Sequence, residues 1–243
     1  MFKNYILNKK AVCFDLDGTL ADTDDIWAQA FDKVLKANDA EYVSLEQVYG
    51  CTLKDRWEYV LHEYHIKTKS TIKELAQHTV TEMIQLLKTY PIDVRPGFWD
   101  LASKLKEKNL KLALTSNTGC EAINAFLTKF GIHATFDLVL GADDVKNTKP
   151  DPEIYLTAAK KLGVRPSELL VFEDSIWGAT SAKKAKTDVI VIWNEKIRKV
   201  EYPDGILTYL PDFDGIADKL DYTPEEYLNF KIQTALERKQ ANQ

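Results

Sequence analysis

From Pro96-Gly97 onward the chain alternates between short apolar runs of strand length and segments of helical periodicity. No other feature limits the fold as much. Leu101, Ala102 and Leu105 line a helix, and residues 111–114 form a strand. Ile123, Phe126, Leu127 and Phe130 line the next helix, followed by a strand at 138–140. Asp151-Pro152-Glu153 opens another helix, with Asp at the cap and Pro at the first helical position. A strand at 169–172, a helix at 177–185 and a strand at 189–193 complete the series. Such alternation predicts a parallel sheet covered by helices on both faces.

One apolar run stands apart from this series. Ala11-Val12-Cys13-Phe14 reads as a buried strand that ends at the turn Asp15-Leu16-Asp17-Gly18. Between that turn and Pro91 the periodicity is helical only. Trp27, Ala30, Phe31, Val34 and Leu35 share a face, as do Leu53, Trp57, Val60, Leu61 and Tyr64. Ile72, Leu75, Ala76, Val80, Met83, Ile84 and Leu87 form a third stripe. The chain has 243 residues, a length that suits one large domain carrying an insertion. The expected class is therefore α/β: a Rossmann-like, doubly wound parallel core from residues 1–21 and 94–243, with an α-helical cap inserted at 22–93. A last helix is expected from Thr223-Pro224-Glu225-Glu226, a capping box, to Arg238-Lys239.

Composition narrows the partners. The 32 basic and 37 acidic residues give a net charge of −5 without a basic block, which disfavours nucleic acid and anionic membranes. Three widely spaced cysteines, Cys13, Cys51 and Cys120, form no CxxC pair and read as reduced thiols. No apolar run is long enough for a signal peptide or a bilayer span. These features point to a soluble cytoplasmic protein, a monomer or a small homo-oligomer.

In parallel sheets ligands bind beyond the carboxyl ends of the strands. Asp15 and Asp17 follow the first strand, and Ser116 and Asn117 the strand at 111–114. Lys149 lies in the loop after the strand at 138–140, and Glu173 and Asp174 follow the one at 169–172. Four carboxylates on one sheet edge would repel one another. A hard divalent cation such as Mg²⁺ relieves that repulsion. Lys149 and the Ser116 hydroxyl suit a phosphate. A carboxylate can attack phosphorus, and a second one can move the proton.

The stretches Phe14-Asp15-Leu16-Asp17-Gly18-Thr19-Leu20, Thr115-Ser116-Asn117, Lys149-Pro150-Asp151-Pro152 and Val171-Phe172-Glu173-Asp174-Ser175 resemble, in order, the four motifs of the haloacid dehalogenase superfamily. The helical insertion resembles the mobile cap of its β-phosphoglucomutase-like and phosphoglycolate-phosphatase-like branch. The resemblance implies that Asp15 is the nucleophile and Asp17 the acid/base. Ser116, Asn117 and Lys149 would hold the phosphoryl group. Mg²⁺ would be held by the Asp15 carboxylate, the Asp17 main-chain carbonyl and Asp174, with Glu173 direct or through water.

The same resemblance implies a phosphatase acting on a small phosphorylated metabolite such as a sugar phosphate. The runner-up is a hexose-phosphate mutase. The mutases resembled here carry a cap histidine where this chain has Trp27, and a phosphate-gripping arginine where it has Leu53. Lys54 and Arg56 lie close by and, with Trp27, are the candidate substrate contacts from the cap. A phospho-accepting receiver module would be about half this length, and an inactive binding protein would not need every chemical position filled.

Overall fold

The computed structural model describes residues 2–38, 40, 50–221 and 226. Its centre is one sheet of six strands: β1 (Ala11–Phe14), β2 (Lys111–Thr115), β3 (Leu138–Leu140), β4 (Leu169–Glu173), β5 (Asp188–Ile192) and β6 (Thr208–Leu210). The spatial order is β3-β2-β1-β4-β5-β6, with every neighbouring pair parallel. Consecutive strands β1, β2 and β3 step one way from the centre, and β4, β5 and β6 step the other. The carboxyl end of β1 thus lies where the winding reverses, the place in such sheets where ligands bind.

Nine helices surround the sheet among the described residues: α1 (Phe2–Ile6), α2 (Asp24–Lys36), α3 (Leu53–Glu63), α4 (Ile72–Leu87), α5 (Phe98–Glu107), α6 (Cys120–Phe130), α7 (Glu153–Leu162), α8 (Ile176–Lys184) and α9 (Ile216–Lys219). Alternate residues of each strand point to opposite faces. Phe14, Leu112, Leu114, Phe172 and Ile190 pack against α1, α5, α6 and α9, while Cys13, Ala113, Val171 and Val189 pack against α7 and α8. Every residue of β1 and β4 is buried, as a strand covered on both faces requires.

Phe14 stacks on Phe172 at 5.1 Å between ring centroids and meets Phe98 and Phe213 edge-on at 5.6 and 5.7 Å. Offset and edge-on aromatic pairs contribute about 0.5–1.5 kcal/mol each beyond their buried area. They pack the side chain that immediately precedes Asp15.

Helices α2, α3 and α4 pack on one another around Phe31, Val34, Leu35, Trp57, Val60 and Leu75. Phe31 stacks on Trp57 at 4.0 Å, and the Trp57 indole donates to Thr79 Oγ1 at 3.0 Å. Thr52 and Thr71 open α3 and α4 with reciprocal capping boxes to Asp55 and Glu74. The opposite faces of α2 and α4, through Trp27, Ala30, Met83 and Leu87, join the main core. The two chain crossings into this block are tied together. Arg95 donates from Nε and Nη2 to Gly18 O at 3.1 and 2.9 Å, and its main-chain N–H donates to Leu20 O at 2.8 Å.

Several boundaries differ from those expected. The helix read from Asp151 begins at Glu153 with Pro152 in the cap position; the Asp151 side chain still accepts from Glu153 N at 2.9 Å. The helix read from Trp177 begins at Ile176, capped by Ser175. Strand β4 runs one residue further than expected and takes in Glu173. Strand β6 and helices α1 and α9 carry no periodic signal because they span only three to five residues. The helix expected at 223–239 lies outside the described residues, apart from Glu226. No helix among the described residues is long and apolar enough to cross a membrane.

Candidate active site

Asp15 leaves β1 with its N–H donating to Phe172 O at 3.0 Å, so its side chain enters the crevice beyond the strand ends. Gly18 turns the chain back immediately after Asp17. Its φ of 79° is left-handed, and a Cβ there would lie 2.0 Å from Asp174 Oδ2. Only glycine meets both demands.

Lys149 is 3% exposed and uses its ammonium fully. Nζ donates to Asp15 Oδ1 at 2.7 Å, to Glu173 Oε1 at 2.6 Å and to Thr115 O at 2.9 Å. Asn117 fixes the lysine from behind. Its Oδ1 accepts from Lys149 N at 2.9 Å, and its Nδ2 donates to Lys149 O at 3.1 Å and to Gly50 O at 2.9 Å. The Asn117 amide therefore holds the Lys149 main chain in place, and Asn117 itself lines the crevice.

Glu173 is wholly buried, and both its oxygens are occupied. Oε1 accepts from Lys149 and, at 2.9 Å, from Tyr155 Oη; Oε2 accepts from Asp174 N, Ser175 N and Ser175 Oγ at 3.1, 3.2 and 3.1 Å. As the last residue of β4 it shares the face of Val171, which is why it meets α7. Gly178 makes room for it, since a Cβ there would fall 1.7 Å from Glu173 Oε1. Tyr202 Oη donates to Asp174 O and holds the next residue.

Asp17 is held differently. Oδ1 accepts from Thr23 Oγ1 at 2.7 Å and Trp27 Nε1 at 2.8 Å; Oδ2 accepts from Thr118 Oγ1 at 2.6 Å and Ser116 Oγ at 3.2 Å. Trp27, expected as packing or a substrate contact, is thus bonded to the second aspartate.

Oxygens of Asp15, Glu173 and Asp174, all buried, lie within 4.8 Å of one another. Burial pushes Asp15 well above the usual carboxylate range; Lys149 opposes this, while Glu173 and Asp17 add to it. Burial raises Asp174 in the same direction, helped by Asp15 and Glu173. Burial disfavours the Lys149 cation, but Asp15 and Glu173 more than offset this and hold it well above the usual lysine range. The cluster holds more negative charge than one ammonium neutralises. Its oxygen-only donor set fits a hard divalent cation. The Asp17 side chain lies outside this set, committed to its four donors.

The crevice encloses about 200 Å³. Asp15, Asp17, Ser116, Lys149 and Asp174 line its floor; Trp27 and Arg56 line the side formed by the helical block. Arg56 Nε is buried with no hydrogen-bond partner among the described residues. Lys54 does not line the crevice: it is exposed and faces Glu58 at 3.6 Å. Sequence reasoning missed Thr23, Thr118, Tyr155, Tyr202 and Lys196. Lys196, beyond the carboxyl end of β5, lines the crevice and bonds Asp24 at the start of α2 at 2.7 Å. The strand-end rule that found the other residues would have found it too.

The fold and this crevice define a class. Residues 12–192 match the model of the haloacid dehalogenase-like hydrolases, and the chain belongs to that family. A phosphorylated carbohydrates phosphatase of Thermotoga maritima is 30% identical over 72% of this chain and 81% of its own. A β-phosphoglucomutase of Bacillus subtilis is also 30% identical, over 72% and 80%. The crystal structure of CbbY from Rhodobacter sphaeroides in complex with phosphate superposes with a TM-score of 0.79 at 27% identity, covering 88% of this chain and all of that one.

Proposed function

We propose that this chain is a Mg²⁺-dependent phosphatase that hydrolyses a small phosphomonoester of the sugar-phosphate kind through a phosphorylated Asp15. The observation that carries this reading is the pair Asp15 and Asp17 in one small crevice, with Lys149 bonded to Asp15. An Asp15 oxygen attacks phosphorus, the bond to the leaving oxygen breaks, and Asp17 supplies the proton that oxygen needs. Water then attacks the aspartyl-phosphate, gives a proton to Asp17 and releases Asp15 and inorganic phosphate. Lys149 and Ser116 bind the phosphoryl oxygens, Lys149 by exchanging its bond to Asp15 and Ser116 its bond to Asp17. Asp15, Asp174 and the Asp17 main-chain carbonyl are the ligands proposed for Mg²⁺, which when bound screens the phosphoryl charge. Glu173, with both oxygens filled, supports Lys149 and meets the ion at most through water. Residues 22–93 act as the cap, and its Arg56 guanidinium meets the body of the substrate. A crevice of about 200 Å³ suits a metabolite rather than a protein.

The metal assignment predicts a stability trade. A buried carboxylate with a raised pKa binds more protons folded than unfolded. Its burial therefore costs stability as pH rises from about 4, its usual value, through the folded pKa. Asp174→Asn should raise the melting temperature of the metal-free protein at pH 7 by roughly 2–4 °C, the shift about 1 kcal/mol gives at this size. The same variant should lose the further rise that Mg²⁺ produces in the wild type. A full Mg²⁺ response in the variant would remove Asp174 from the ligand set.

The mutase reading is favoured by the similarity to a β-phosphoglucomutase. Against it stand Trp27, whose indole cannot accept a proton, and Leu53, which packs among apolar side chains. The two readings separate when the protein is incubated with β-glucose 1-phosphate and a glucose bisphosphate. The phosphatase reading expects inorganic phosphate with no need of the bisphosphate, whereas isomerisation with negligible phosphate release would establish the mutase.

For any sugar phosphate turned over, Arg56→Ala should raise KM about tenfold or more, as losing a hydrogen bond from a charged group implies. Lys54→Ala should shift it less than about twofold, because an exposed pair contributes little. Equal effects of the two substitutions would remove Arg56 from the substrate site.

A further inference from the structure

Among the described residues, Asp17 is the one site carboxylate that receives an indole. Its four partners are of two kinds. Thr23, Thr118 and Ser116 offer hydroxyls, which can donate or accept by rotating. The Trp27 Nε1–H, at 2.8 Å from Oδ1, can only donate. Oδ1 must therefore remain an acceptor whichever way the hydroxyls turn. A proton on Asp17 has one place left, Oδ2, where Ser116 and Thr118 can both turn to accept.

The indole is itself firmly placed. Trp27 is 5% exposed, lies on α2 four residues after Thr23 and packs on the Phe126 ring at 6.3 Å between centroids. Thr23 and Trp27 thus grip the same oxygen from one helix turn. Ser116 stands at 3.2 Å, the longest of the four bonds, and is the partner most easily drawn off by an arriving phosphoryl group.

We propose that Trp27 is a positioning residue that fixes Oδ2 of Asp17 as the proton-carrying oxygen and so aims the acid at the leaving group. This rests on the reading of Asp17 as the acid. In the first step Oδ2–H passes its proton to the leaving oxygen as that oxygen takes the electron pair of the breaking P–O bond. In the second step the attacking water returns a proton to Oδ2. Trp27 exchanges no proton in either step. The indole also belongs to the helical block, so the acid is aimed only while α2 stays seated against the sheet edge.

The test compares two probes, phenyl phosphate and p-nitrophenyl phosphate. Nitrophenolate leaves well without a proton, whereas phenolate needs one more. General acid catalysis contributes about 10²–10⁴-fold where the leaving group needs it. Trp27→Phe keeps an aromatic ring and loses the donor. The kcat ratio of p-nitrophenyl phosphate to phenyl phosphate should rise about tenfold in Trp27→Phe, part of that contribution, and further in Asp17→Asn. The ratio is the readout because a loosened fold lowers both rates together. A ratio that rises in Asp17→Asn but stays at the wild-type value in Trp27→Phe would overturn the proposal and leave Asp17 as the acid. A ratio unchanged in Asp17→Asn would overturn the acid reading itself, and this inference with it.

Discussion

Asp15→Asn should leave no measurable turnover, a loss of at least about 10⁴-fold, since the proposed covalent step disappears with its nucleophile. The fold should survive. Asn has nearly the shape of Asp, and the main-chain bond to Phe172 O does not involve the side chain. The substitution also removes one negative charge from a cluster whose charges burial already disfavours, so the metal-free variant should melt no lower than the wild type. Phosphate release and a melting curve on one preparation check both halves. Activity above a hundredth of wild type, free of wild-type enzyme, would contradict the covalent route.

Lys149→Met carries the second large effect and acts on fold and chemistry together. The ammonium joins two buried carboxylates at 2.7 and 2.6 Å, and its removal leaves both unpaired. Breaking a buried pair in this way costs about 3–5 kcal/mol. In a chain of this size that is a fall of roughly 10 °C in melting temperature. Unpaired carboxylates take up protons more readily in the folded state, so stability falls as pH rises and the deficit should be larger at pH 8 than at pH 6. Loss of a charged donor to the phosphoryl group should lower kcat about 10²- to 10³-fold. A variant as stable as wild type at both pH values would show that Lys149 is not the counter-charge of Asp15 and Glu173.

The parts of this site that could be read from the sequence share one property: each sits at a strand end, just past one or, for Lys149, in the loop that follows one. Apolar runs are legible, and the residue that ends a run is legible with them. That is how Asp15, Asp17, Ser116, Lys149 and Asp174 were placed on one edge although they span most of the chain. Glu173 was placed one step out. Being the last residue of β4 rather than the first beyond it puts its carboxylate among Lys149, Tyr155 and Ser175. Tyr155 and Tyr202 sit among apolar neighbours, where a hydroxyl leaves no mark on the periodicity. Trp27 belongs to an apolar helical stripe, and nothing in that stripe tells that the indole nitrogen faces Asp17. Lys54 and Arg56 are equal as sequence, two residues apart on α3. A helix turns about 100° per residue, so the two diverge, one to the crevice and one to water.

The proposed reaction carries a phosphoryl group on Asp15. Its most direct measurement is a rapid acid quench of the enzyme turning over substrate with Mg²⁺, followed by borohydride reduction and peptide mass mapping. Borohydride reduces an acyl phosphate to the alcohol, so a phosphorylated Asp15 becomes homoserine, while a free carboxylate is untouched. The expected result is homoserine at position 15 in the peptide that also holds Asp17, and none without substrate. Active turnover with Asp15 unreduced, or with the mark at Asp17 or elsewhere, would contradict it.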